Sequence, residues 1–416
     1  MKKNKKTRIH WIIGCLILGV IATGVYFVGI KKESKEIQKE SKNTQKETQE
    51  EKQQSHDFQF VLSDYMEQPN TSYDAYMEPV KVKGIYVNGW KAGERKYMSQ
   101  LIQLINETEL NAMVIDVKGD DGHITYQTEA PLAQAIGATT NYIRDIHGVL
   151  DELKENNIFP IARIVVFKDP YLPEKRPDLA LKNPDGTIFR EKGGKGAAWV
   201  NPYQKEVWDY VIEIAKDAAR VGFKEIQFDY IRFATAKGID KVDYGPLAAE
   251  KGKTQIINEF TQYAMEQLKP LGIFVSADVF GTIITSKIDA DIVGQDYAEM
   301  SRHLDYICPM VYPSHYNIGS FGIRDRHPDW YPYQVLHQSM LASKQKLEEI
   351  PEGESKAIVR PWLQAFTASY LRAPNYQVYS GKQIRDQIQG VYDAGLEEWI
   401  LWNAGGNYSK DGLLPE

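Results

Sequence analysis

From residue 82 onward the chain exchanges two periodicities in a regular order, and this constrains its fold more than any other feature. Short apolar runs at Val82–Asn88, Ala112–Val117, Phe159–Phe167, Glu225–Ile231, Gly272–Val279, Asp305–Val311, Lys356–Trp362 and Glu398–Trp402 read as strands. Helical spacing fills the intervals: Glu94–Thr108 (through Met98, Leu101, Ile102 and Ile105), Tyr142–Glu155, Tyr203–Val221, Leu247–Leu268, Tyr297–Leu304, Tyr333–Glu349 and Lys382–Ala394. Strands that alternate with helices at this spacing run parallel, and eight such units close into a (β/α)8 (TIM) barrel. An open doubly wound sheet is the rival. It favours a glycine-rich phosphate turn after the first strand, and Gly84-Ile-Tyr-Val-Asn-Gly89 is not one. The chain ends about fourteen residues after the last strand, which predicts a barrel without its eighth outer helix. Residues 57–81 form a lead-in available to cover that gap, ahead of a body at 82–416.

The N-terminal part has a different character. Residues 1–10 carry five Lys/Arg and no acid, and residues 11–30 carry no charge. Twenty apolar residues at about 1.5 Å each match a bilayer core of about 30 Å. The expectation is a transmembrane anchor, with a cleaved signal (best site Ala22-Thr-Gly24) and a lipidated Cys15 as alternatives. The basic leader places the N-terminus inside and the body outside the membrane, or secreted if the segment is cleaved. Residues 31–56 are almost wholly polar and read as a disordered stalk.

The net charge is −6, so the chain beyond its basic leader is the more acidic part, which argues against a nucleic-acid partner. The two cysteines, Cys15 and Cys308, allow no disulfide within the body and no thiolate metal site. The eight histidines show no His-x-His or His-Glu-x-x-His pattern, so neither metal nor cofactor is expected.

Functional residues of a barrel gather at the C-terminal ends of its strands. Asp229 ends the fourth predicted strand and Asp278 lies near the end of the fifth. Glycosidic cleavage uses such a carboxylate pair, one ionised and one protonated. The competing reading is that each caps a loop or pairs with Arg232 or Arg163. Asp116 and Lys118 end the second predicted strand and Arg163 lies in the third, as charges that tune Asp229 or as an internal ion network. Asp296 is a reserve acid or a helix cap. Tyr312 and His315 crowd the sixth strand end, His315 as a sugar-binding or a structural group, and Trp90, Trp199, Trp362 and Trp402, with Asn403, fall at or after strand ends, where indoles stack on sugar rings or, for at least half of them, pack the barrel rim. The long segment 168–201 reads as a functional loop.

Trp199-Val-Asn-Pro202, Ile226-Gln-Phe-Asp-Tyr-Ile-Arg-Phe233, Ser276-Ala-Asp-Val-Phe-Gly281 and Cys308-Pro-Met-Val-Tyr-Pro-Ser-His-Tyr316 resemble a bacterial glycoside hydrolase domain family long labelled a domain of unknown function. That family is similar to the α-amylase-like (β/α)8 hydrolases. The resemblance covers about residues 82–410 and implies a barrel acting on a polysaccharide or oligosaccharide. It also implies a nucleophile at the end of strand four and an acid/base at the end of strand five, the places of Asp229 and Asp278. This chain departs in having Asp rather than Glu at the second place, and Gln227 where amylases carry Arg. The expectation is an extracytoplasmic, membrane-tethered glycosidase acting on surface or wall polysaccharide. A non-catalytic carbohydrate-binding barrel and a metal-dependent deacetylase are the rivals.

Overall fold

The computed structural model describes residues 79–416. Nine strands occur there: β1 (Lys83–Val87), β2 (Ala112–Lys118), β3 (Phe159–Val165), β4 (Glu225–Asp229), β5 (Phe274–Phe280), β6 (Tyr306–Val311), β7 (Ile358–Val359), β8 (Trp362–Gln364) and β9 (Trp399–Trp402). Every pairing between them is parallel, and β9 closes onto β1. β7 and β8 occupy one barrel position. Both pair with β6 in a continuous register, Ile307↔Val359 and then Met310↔Trp362. Pro309 and Pro361 face this interval and neither has an N–H to give, so the ladder lapses there. The result is a closed barrel of eight strand positions.

The outer helices are α1 (Arg95–Asn106), α2 (Ile146–Glu155), α3 (Lys205–Val221), α4 (Lys253–Leu268), α5 (Tyr297–Ser301), α6 (Pro332–Leu347) and α7 (Gly381–Asp393). Among the described residues no helix follows β9. Two boundaries differ from the sequence expectation for local reasons. α2 starts at Ile146 rather than Tyr142, because the Asp145 side chain accepts from Gly148 N and fixes the start. The run 247–268 breaks at Lys251, and α4 begins after Gly252.

The strands alternate as the pleat requires. In β4, Ile226 and Phe228 point outward to the helices, where Phe228 meets Phe260 of α4 at 5.5 Å between ring centroids, and Phe260 meets Trp208 of α3 at 5.8 Å. Burying such a ring is worth about 3–5 kcal/mol against alanine. Glu225, Gln227 and Asp229 are the alternate set and face the lumen. The lumen is therefore partly ionic. Arg360, fully buried, donates from Nη1 to both oxygens of Glu225 (2.8 and 2.9 Å) and from Nε to Glu398 (2.8 Å). Below this, Val80, Val82, Phe159, Phe274 and Tyr306 fill the barrel floor.

The segment 168–201 is folded against the barrel. Isolated bridges join Ala180 to Val200, Lys182 to Ile188 and Arg190 to Ala198 within it. Among the described residues no helix is long and apolar enough to cross a membrane. The expected anchor 11–30, stalk 31–56 and nearly all of the lead-in lie outside the described residues.

Candidate active site

β3, β4 and β5 lie side by side, with Arg163 paired to Gln227 and Gln227 to Ser276. Two residues further along, that register brings Asp229 and Asp278 to the same level on adjacent strands. Neighbouring strands are about 4.8 Å apart.

The two carboxyls have unlike surroundings. Arg163, itself buried, donates from Nε (2.9 Å) and Nη2 (2.5 Å) to Asp229 Oδ2. Tyr230 N donates to Asp229 Oδ1 at 2.6 Å. Tyr230 has a left-handed φ of 54°, which ends β4 at Asp229 rather than at Ile231 and turns the amide back onto the carboxylate. A non-glycine residue there costs on the order of 1 kcal/mol, a strain typical of functional turns. The remaining Arg163 nitrogen, Nη1, holds Asp116 Oδ1 at 2.6 Å, and Asp116 Oδ2 accepts from Tyr86 OH at 2.6 Å. The ring of Tyr86 stacks on Trp402 at 4.1 Å.

Among the described residues, Asp278 has no cation within hydrogen-bonding reach. It is 2% exposed, and Oδ1 accepts from Trp362 Nε1 (2.6 Å) and Gln227 Nε2 (2.9 Å). Oδ2 makes no hydrogen bond within the described residues. Burial, reinforced by the neighbouring Asp229 charge, pushes the Asp278 carboxyl well above its usual range, and the Trp362 hydrogen bond opposes this only in part. Tyr312, at the end of β6, is raised well above its ordinary value, chiefly by burial, so it stays a phenol able to donate. One carboxylate locked to a guanidinium beside one kept protonated is the arrangement that acid-assisted displacement requires.

The other sequence candidates divide. Asp116, Arg163, Tyr312 and Trp402 join Asp229 and Asp278 around the lumen mouth. Lys118 is fully buried, and its ammonium meets Val165 O (2.9 Å) and Asp169 (2.8 Å), so it braces the end of β2 and offers nothing to a ligand. Trp199 is also fully buried, with Nε1 on Glu191 at 2.9 Å. Trp362 stands behind Asp278 and presents no open ring face. Arg232 lies among the rings of Trp199, Tyr230 and Phe280, 4.7 Å from the last. Asn403 ties the loop after β9 through Ala365 O (2.6 Å) and Asn407 O (3.0 Å). His315 is exposed, edge-on to Tyr312 at 5.0 Å. Trp90 is exposed on the turn after β1. Asp296 is not a reserve acid: its side chain caps α5 through Glu299 N at 3.0 Å.

Sequence reasoning did not single out Tyr86 as Asp116's partner, or Gln227 as a ligand of Asp278. Asp120 was placed near the end of the second strand without a role; its half-exposed carboxylate meets Arg163 Nη2 at 3.3 Å. For Gln227 a signal existed, since it falls midway between two other lumen-facing polar residues at period two.

The sequence model of the family described as "Putative glycosyl hydrolase domain" matches residues 84–408. No curated protein matches the chain. A hypothetical protein from Ruminiclostridium thermocellum is 42% identical, over 47% of this chain and 97% of its own, with a TM-score of 0.43. The PgaB (BpsB) glycoside hydrolase domain from Bordetella bronchiseptica is 15% identical over 79% of this chain and 95% of its own, with a TM-score of 0.56. A β-galactosidase from the psychrophilic Marinomonas ef1 is 11% identical over 78% and 54% respectively, at 0.51. The last two likenesses are of fold. With the family match spanning most of its length, this chain belongs to the glycosyl hydrolase domain family.

Proposed function

We propose that the protein cleaves a glycosidic bond of a surface or wall-associated polysaccharide, with Asp229 as nucleophile and Asp278 as general acid and then base. The observation that carries this reading is the contrast between the pair: Asp229 held by the Arg163 fork, Asp278 buried with donors but no cation. In the first step the Asp278 proton passes to the glycosidic oxygen. The bond from that oxygen to the anomeric carbon breaks, its electron pair leaving on the oxygen, while an Asp229 oxygen bonds to the carbon. Water, deprotonated by Asp278, then releases the sugar from Asp229. Adjacent strands at matched level suit the carboxyl spacing of about 5–5.5 Å used for retention. Tyr86, Trp402 and Tyr312 supply ring faces and a donor at the mouth.

The test is reducing-sugar release by the full-length protein from a panel of bacterial surface and wall polysaccharides, beside Asp229→Asn. Release by the wild type alone, with the product first formed in the starting anomeric configuration, supports the reading. Equal release by the variant removes the nucleophile assignment. Glycan binding without release in either protein makes this a binding module.

We also infer that residues 11–30 tether the barrel outside the cytoplasm. Protease added to intact cells then removes the barrel. Protection of the barrel in that experiment refutes the placement.

A further inference from the structure

Beyond Phe280 and its β6 neighbour Met310 the barrel mouth opens into a cavity of about 680 Å³. Phe280 follows Asp278 by two residues on β5. It therefore shares Asp278's face and lies about 6.6 Å nearer the mouth. Phe280, Met310 and Ile292 give the cavity an apolar floor and wall, and Thr282, His315 and Asn317 bring polar groups to its edge. Asp289 contributes a carboxylate, and among the described residues no Lys or Arg lines the space. An apolar face bordered by a few hydrogen-bonding groups suits a pyranose ring, and the volume falls in the ordinary range of ligand sites.

The position fixes which part of a glycan this cavity faces. Arg163, Asp116 and Tyr86 lie on β3, β2 and β1, on the Asp229 side of the pair. The cavity lies over β5 and β6, on the Asp278 side, where the protonated oxygen departs. We propose that it is the leaving-group subsite, and that it takes an uncharged or basic sugar residue and not a uronate or phosphorylated one. An anionic ring there would meet the Asp289 carboxylate, while Arg232, held against the Phe280 ring at 4.7 Å and donating to Phe233 O, does not line the space. This assignment rests on Asp278 being the acid.

Two substitutions on separate walls test it. Ile292 is 46% exposed on the short helix Lys287–Val293, and Asn317 is exposed on the loop after β6, so Ile292→Trp and Asn317→Trp fill the space without entering the core. Each full-length variant is assayed on the polysaccharide that the wild type cleaves, and on the glycosyl fluoride of the sugar transferred to Asp229, whose one-atom leaving group does not use the cavity. The expected result is a loss in kcat/KM of about tenfold or more on the polysaccharide, chiefly in KM, with the fluoride turned over as by the wild type. Equal losses on both substrates, or none on either, overturn the assignment. Cleavage of uronate-flanked and neutral linkages at equal rates overturns its charge preference. If the wild type hydrolyses neither fluoride nor polysaccharide, the glycosidase reading itself has failed and the subsite falls with it.

Discussion

Replacing Trp362 by Phe tests how the fold holds Asp278 ready. The indole Nε1 can only donate, and at 2.6 Å it donates to Asp278 Oδ1. Gln227 donates to the same oxygen. In the protonated acid Oδ1 is thus the carbonyl oxygen, and the proton resides on Oδ2, which has no hydrogen-bond partner among the described residues. Both donors favour the ionised form and temper the upward push of burial. A hydrogen bond to a charged acceptor is worth about 1.5–3 kcal/mol and one to a neutral acceptor about 0.5–1.5 kcal/mol. Removing the indole donor therefore raises the Asp278 pKa by the difference, about 1 kcal/mol, or roughly 0.7 pH unit.

Asp278 acts first as an acid, so activity is present below its folded pKa and is lost as pH rises through it. In Trp362→Phe that loss is delayed, and the alkaline limb of kcat/KM moves up by roughly 0.7 unit while the acidic limb stays. The retained ring still packs against Tyr86 and Trp402, which keeps the change local. The same shift is readable without turnover, by following the Asp278 carboxyl carbon through a pH titration by NMR. An alkaline limb that stays put or moves to lower pH, in a variant that melts as the wild type does, refutes the reasoning. Gln227→Met removes the second donor and shifts the limb in the same direction.

Three further outcomes follow from the buried charges. Arg163→Met leaves Asp116 and Asp229 without their cation and lowers unfolding stability by about 3–5 kcal/mol, measured by urea titration; a loss under 1 kcal/mol contradicts the network. Glu225→Gln costs a similar amount by weakening the hold on Arg360, with the barrel floor intact. Glu213 of α3 is fully buried, with Leu132 N on one oxygen at 3.3 Å, and burial lifts its pKa to about 8. The folded state then holds a proton that the unfolded chain releases near pH 4.5, so stability falls as pH rises from about 4.5 through 8. Glu213→Gln mimics the neutral acid and removes that fall. It melts like the wild type near pH 4.5 and above it by several degrees at pH 8, and parallel melting curves across the range refute the assignment.

The barrel was legible because its helices and strands follow simple periods, and the errors at their ends have local causes such as Asp145 and Gly252. The lumen was harder to read. In a parallel barrel both faces of a strand are covered, so alternation does not say which set points inward. Glu225-Ile-Gln-Phe-Asp229 carries polar residues at every second position, and Ser276 with Asp278, and Arg360 with Trp362 and Gln364, repeat that pattern. Of these, Asp229, Asp278 and Trp362 stood out beforehand; Glu225 did not, since its partner lies 135 residues away on another strand. The tryptophans were ambiguous for a related reason. A strand-end indole can face the mouth, as Trp402 does in part, or back a carboxyl, as Trp362 does, and the choice depends on which strand lies beside it. The left-handed Tyr230 gave no signal, because tyrosine has no preference for that conformation.

The contrast within the carboxyl pair follows from strand order. Asp229 on β4 has β3 as one neighbour, and β3 carries Arg163 at the right level. Asp278 on β5 has β6 as its far neighbour, and the residue opposite it is Cys308, buried and without charge. Trp362 reaches Asp278 from the strand beyond and gives a hydrogen bond without a charge. A guanidinium on one flank and a neutral flank on the other hold one carboxyl in an ion pair and leave its neighbour to burial. Neither residue type nor spacing along the chain contains that difference. It arises when the sheet closes and gives two aspartates on successive strands unlike outer neighbours.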